Sequence, residues 1–199
     1  MPADSVPTNL TNHFLIAMPG MQDDLFSRSV VYLCEHSQHG AMGLVINKPC
    51  DISVKGLFDQ VELPLLRTDL TAAPVFVGGP VQLERGFVLH EPLFDTDHQP
   101  TDSVFTSTLS VPGGLDMTTS KDILDALSVG AGPRKVLISL GYSAWDQGQL
   151  ESELLENTWL TVLADRRLIF DVPVAQRWTA ALQLLGLQAW MLSPDVGHA

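Results

Sequence analysis

The chain of 199 residues is 45% hydrophobic, enough for one substantial core and too apolar for disorder along its length. Its 23 acidic against 11 basic side chains give a formal charge of -12, and that field repels nucleic-acid phosphate and anionic lipid, arguing against direct nucleic-acid or membrane binding. Cys34 and Cys50 make no secreted disulfide framework, MPADSVPTNLTNHF lacks the regions of a signal peptide, and no stretch approaches a membrane span, so the expected setting is the cytoplasm with reduced thiols.

Residues 1–11 are polar, carry Pro2 and Pro7, and read as a flexible leader; residues 12–193 read as a single domain and 194–199 as a polar tail. HFLIAM (13–18) is a first strand that stops at Pro19-Gly20, and SVVYLCEH (29–36) is a second. Two-residue periodicity puts Val30, Tyr32, Cys34 and His36 on one face of that second strand and Val31, Leu33 and Glu35 on the other. Both faces are apolar, which fits the inside of one domain and a subunit interface equally. A turn at SQHG leads into AMGLVINKP (41–49). Val54, Leu57, Phe58 and Val61 then recur at helical spacing.

PVFVGG (74–79) and GFVLHE (86–91) read as strands joined through Gly78-Gly79-Pro80, and DSVFTSTLSV (102–111) as the next strand. A helix follows, with Ile123, Ala126 and Leu127 as its apolar stripe and Gly130, Gly132 and Pro133 ending it. RKVLISLGY (134–142) is continuously apolar in its middle and reads as a central strand. After it come a helix with Leu150, Leu154 and Leu155, two strands at TWLTVLAD (158–165) and RLIFDV (167–172), a helix over 174–185, and a short strand near QAWML (188–192). This order is neither a clean doubly wound sheet nor a simple sandwich, so the class is mixed α/β.

Several stretches invite a chemical reading. Gly78-Gly79-Pro80 has no following Gly-Lys-Ser/Thr, and Pro80 offers no N–H, so it reads as a corner between strands rather than a phosphate loop. Cys34, His36 and His39 offer ligand atoms, but without paired cysteines they read as structural, and no resident metal or cofactor is expected. GYSAW (141–145) looks like a nucleophile elbow with bulky Trp145 where glycine belongs, so it reads as a turn or binding rim. Tyr142 and Trp145 suit contact roles there, since each joins apolar area to a polar handle. Glu151, Glu153 and Glu156 read as a solvated helix face. Met18, Met42 and Met117 lie on different elements, which argues against a methionine-rich recognition surface.

NHFLIAMPGM, FSRSVVYLCEHSQHGAMGLVINKP, VFVGGPVQLERGFVLH and GYSAWDQGQLESELLENTWL together carry a resemblance. Across nearly its whole length the chain resembles the bacterial YqgE/AlgH family. The resemblance implies an α/β fold whose irregular, bifurcated, mostly antiparallel sheet curls into a pseudo-barrel with packed helices. It also implies a cytosolic protein with a regulatory association, from which the expectation of a transcriptional regulator comes. The family-like positions are His36, Gly43, Asn47, Gly78, Gly79, Arg85, His90, Tyr142, Trp145, Gln149, Glu151 and Asn157. Of these, His36, Asn47, Gly78, Gly79, Arg85, His90, Tyr142 and Trp145 are the expected binding residues.

The preferred reading is a non-enzymatic regulatory or protein-interaction module, taking a protein partner ahead of a small-molecule ligand. The alternative is a small-molecule hydrolase or other enzyme with a pocket near His90 and Ser143. A third reading gives the marked polar positions to folding and packing alone.

Overall fold

A computed structural model describes residues 9–93 and 104–192. Residues 1–8 of the expected leader, the tail over 194–199 and the start of DSVFTSTLSV lie outside the described residues. Leu10 and Thr11, expected in the leader, belong to the fold: Leu10 is buried, and the Thr11 hydroxyl accepts the His36 amide at 3.0 Å.

The strands are β1 (His13–Ala17), β2 (Val30–Ser37), β3 (Gly40–Val45), β4 (Pro49–Ser53), β5 (Pro74–Val77), β6 (Val81–His90), β7 (Thr108–Ser110), β8 (Asp116–Thr118), β9 (Val136–Asp146) and β10 (Trp159–Leu163). The helices are α1 (Val54–Gln60), α2 (Asp122–Ser128), α3 (Gln149–Leu155), α4 (Arg166–Phe170) and α5 (Arg177–Leu184). The main path runs β10-β1-β2-β3-β9-β6-β8-β7, with β4 and β5 branching from it. Every pairing is antiparallel except β5 with β9.

The sheet splits at β9. One edge of β9 pairs with β6 over Val136 to Leu140, while its other edge holds β5 at Ser139 and Leu140 and then β3 from Ser143 to Asp146. Gly141, at φ +73, is the hinge of that exchange, a left-handed conformation that side chains resist. Gly78 sits in the gap: its N–H donates to Leu140 O and its carbonyl accepts from the Val45 N–H, both at 2.9 Å. The Gly-Gly-Pro corner is therefore the connection between β5 and β6 at the apex of a fork. A Cβ on Gly78 would stand 2.4 Å from Gly141 O, and one on Gly79 2.1 Å from Tyr142 C. Both glycines are there because backbones touch.

The sheet is also curled. β2 and β8 are four steps apart in strand order, roughly 19 Å if the sheet were flat. Yet the Tyr32 hydroxyl accepts the amide of Leu115, one residue before β8, at 3.1 Å and donates to Asn12 Oδ1 at 3.0 Å. Inside the curl, Phe14, Tyr32, Leu44, Phe87, Leu89 and Met117 meet Leu168, Ile169, Trp178 and Leu182 of α4 and α5. On the opposite face of β1 to β3, Leu15, Val31, Leu33 and Val45 pack with Trp145, Trp159 and Leu150 of α3. Helices α1 and α2 bury Phe58, Ile123 and Leu127 against Val75, Val88 and Ile138. The result is an α/β fold with a half-barrel sheet and packed helices.

Four local expectations need correction. RLIFDV is not a strand: Asp165 caps α4 by accepting the Arg167 amide at 2.9 Å, and Leu168 and Ile169 form a short buried stripe. QAWML is a turn of 3-10 helix over Ala189–Leu192. GYSAW is neither turn nor elbow, because β9 runs straight through it to Asp146. Among the described residues of DSVFTSTLSV only Thr108–Ser110 form a strand, while β4 and β8 carried too little alternation to be seen.

Candidate functional site

The bulge in β2 decides where the marked residues go. Pairing with β3 shifts between Leu33 and Glu35, so Glu35 faces Met42, and His36 faces Ala41. Cys34 stays in the inner core, whereas His36 turns to the α3 side instead of sharing a face with it. The Leu10 amide donates to His36 Nδ1 at 3.0 Å, which leaves the proton on Nε2, where it meets Glu151 Oε1 at 2.9 Å. Glu151 is held below the usual carboxylate range by its own backbone N–H first and by His36 second. Both imidazole nitrogens are thus engaged. Burial pushes the Cys34 thiol up to about 12, far from a reactive thiolate.

Most of the other expected binding residues brace the fold. Asn47 Oδ1 accepts the Val30 amide at 2.9 Å and its Nδ2 donates to Arg28 O at 2.8 Å, tying the end of β3 to the start of β2. Trp145 and Trp159 donate their indole N–H groups to the same Glu153 oxygen, at 2.9 and 2.7 Å, while Gln149 Nε2 reaches the other oxygen at 3.0 Å. Glu153 therefore anchors α3 rather than decorating a solvated face. Asn157, at φ 57, ends the helix in the left-handed conformation asparagine tolerates.

His90 is fully buried. Its Nδ1–H donates to Glu91 O at 2.9 Å, and Nε2 faces the Thr118 hydroxyl at 2.8 Å. Burial, partly offset by the Glu91 carbonyl and Asp116, keeps its pKa below the ordinary value and the ring neutral. Ser143 is equally buried and donates to Gly78 O at 3.0 Å. Because His90 pairs with Val136, Ser143 lies seven residues further along β9, on the order of 20 Å away. The fold does not bring these two side chains together. Among the described residues, no group of three His, Cys, Asp or Glu side chains converges as a metal site.

Two expected residues, Arg85 and Tyr142, do meet. Both line a groove of about 500 Å3 on the inner face of the sheet, away from α4 and α5. Met42, Phe87 and Met117 share its lining, and Glu35 lies at its edge with Thr106, Thr119 and Leu109. The Tyr142 and Phe87 rings meet edge to face at 5.4 Å, and the Arg85 guanidinium lies 5.6 Å from the Phe87 centroid. Arg85 makes only long contacts to Thr119 Oγ1 at 3.3 Å and Gln82 Oε1 at 3.4 Å, and no described carboxylate pairs with it. Met42 of β3 and Met117 of β8, on different elements as expected, both line this groove.

The AlgH-like family model matches residues 14–190, which span this groove, the fork and α3. The chain belongs to that family. A UPF0301 protein of Albidiferax ferrireducens is 69% identical over 199 residues, covering 100% of both chains, and one of Variovorax paradoxus is 68% identical over the same length. The solution structure of the AlgH protein from Pseudomonas aeruginosa is 45% identical, with 98% of each chain covered and a TM-score of 0.74. A Corynebacterium diphtheriae crystal structure at 18% identity shares the fold, with a TM-score of 0.69 over 92% of this chain and 91% of that one.

In this AlgH-like chain the sequence missed Glu35, Met42, Phe87 and Met117 as groove residues. Glu35 reaches the groove only through the bulge, and the two methionines only through curling of the sheet. Glu153, read as part of a solvated face, was missed too; the signal that could have found it is the pair of tryptophans flanking an acidic helix at short spacing. No described helix is long and apolar enough to cross a membrane.

Proposed function

We propose that this AlgH-like protein is a non-enzymatic interaction module of the cytoplasm, serving a regulatory role, and that its partner is a protein segment carrying an apolar side chain next to a carboxylate. The observation that carries this reading is the make-up of the groove. Tyrosine, phenylalanine and an unpaired arginine are the groups that dominate protein interfaces, and methionines adapt their shape to an inserted side chain. The partner's apolar group enters between Met42, Met117 and Tyr142, and its carboxylate meets Arg85, whose only described partners are neutral. An acidic protein favours such local contacts over nucleic acid, so a regulatory effect would pass through protein and not through DNA.

Affinity capture followed by titration of the purified partner tests the proposal. Arg85→Glu, with the denaturation midpoint unchanged, and Tyr142→Ala, in protein that stays folded, should each weaken binding about tenfold or more. Affinity indifferent to both substitutions, or turnover of a substrate that survives them, would overturn it.

A further inference from the structure

We propose that the cavity beneath the fork of the sheet binds a small carboxylate with an apolar body. This cavity, about 290 Å3, lies between β5, the start of β9, α4 and the first turn of α5, and shares no lining residue with the Arg85 groove. Phe76, Ile138, Ile169 and Val174 supply apolar wall, and Arg177 lines it from the start of α5. The volume matches the small end of ligand sites and accommodates a single ring.

Arg177 is the reason to expect an anion. The residue is only 6% exposed, yet no described carboxylate pairs with it. Its Nε donates to Val172 O at 3.0 Å, its Nη1 to Ile46 O at 2.5 Å, and the guanidinium lies 5.2 Å from the centroid of Phe76. Those partners are neutral, and Nη2 donates to no described residue. Burial alone drives the group down to about 10, with no opposing charge to hold it up. A buried cation without a counter-charge is costly, and Arg177 opens α5, the helix end that repels cations and favours anions. A bound carboxylate would offset both penalties and accept the unused N–H groups side by side.

The remaining charges at the cavity leave the balance positive. Asp171 pairs with Lys135, and Asp69 is gripped by Arg67 through Nε at 2.9 Å and Nη2 at 2.7 Å. Arg134 is exposed at the rim, and no described acid pairs with its guanidinium. Two guanidinium groups without a paired acid therefore line one pocket, beside two acids that already have basic partners, in a protein of formal charge -12. If Arg177 were only a brace between Ile46 and Val172, the pocket would not distinguish an anion from a neutral molecule of the same shape.

Titration of the full chain with benzoate, benzyl alcohol and inorganic phosphate, followed by amide chemical shifts, separates these cases. Benzoate should saturate and shift the amides of Val136, Ile169 and Val174, with affinity about tenfold or more above that of benzyl alcohol. Arg177→Met should abolish that preference, and Arg85→Glu should leave it intact, which keeps this site distinct from the groove. Should Arg177→Met fail to fold, the ratio of benzoate to benzyl alcohol affinity in the unsubstituted protein decides. Equal affinity for the two ring compounds, no saturable shift with benzoate, or phosphate binding as tightly as benzoate would overturn the proposal.

Discussion

Glu153 shows how a single side chain can gather a motif. Its carboxylate accepts from two indoles and one amide, linking β9, β10 and α3. Glu153→Ala would orphan both half-buried indole donors and should cost about 2–4 kcal/mol in urea unfolding, while Glu153→Gln, which keeps one acceptor oxygen, should cost less than half as much. His90 gives a pH signature. Its folded pKa lies below the ordinary histidine value of 6.5, so the unfolded chain takes up the proton first. The stability tied to His90 is therefore complete above the unfolded value and is lost as pH falls from there through the folded value. Unfolding curves between about pH 5 and 8 should show His90→Gln flattening this decline. At this scale the sequence marked residues without giving their contacts. His36 and Trp145 were visible as marked positions; that their contacts are Glu151 and Glu153 depends on α3 folding back over the sheet.

At the scale of elements, the fork rests on three glycines whose backbones interlock. A Cβ at Gly78 meets backbone and side-chain atoms at 2.4 and 2.8 Å, whereas one at Gly86 meets nothing within 4 Å. Gly78→Ala should destabilise by about 3 kcal/mol or more, and Gly86→Ala, at an open position without positive φ, should be neutral or stabilising by up to about 1 kcal/mol. Denaturation midpoints of the two variants check the contrast. The long strands and α2, α3 and α5 were legible because their apolar spacing is strong. The five residues of α4 were not, since a run such as RLIFD fits a strand equally well and only the Asp165 cap selects the helix. The bulge in β2 was invisible because alternation continues on either side of it, displaced by one.

For the whole molecule, curling assembles a groove that the sequence does not announce. Tyr32 closes β2 onto the approach to β8, and the inner face this creates is filled by α4 and α5 in one part and left as a groove in another. Met42 and Met117 come from different strands, so no linear pattern could announce that they share a groove. The marked polar residues divide accordingly. His36, Asn47, Gly78, Gly79, His90 and Trp145 hold the scaffold, and Arg85 and Tyr142 face the opening. The most direct test places a photoreactive benzophenone side chain at Leu109, on the groove rim, or at Leu155, the 85% exposed position on α3, in living cells. One protein partner should crosslink from position 109, be absent from position 155 and be lost on adding Arg85→Glu. Crosslinking equal from both positions, or found only from position 155, would contradict the proposal.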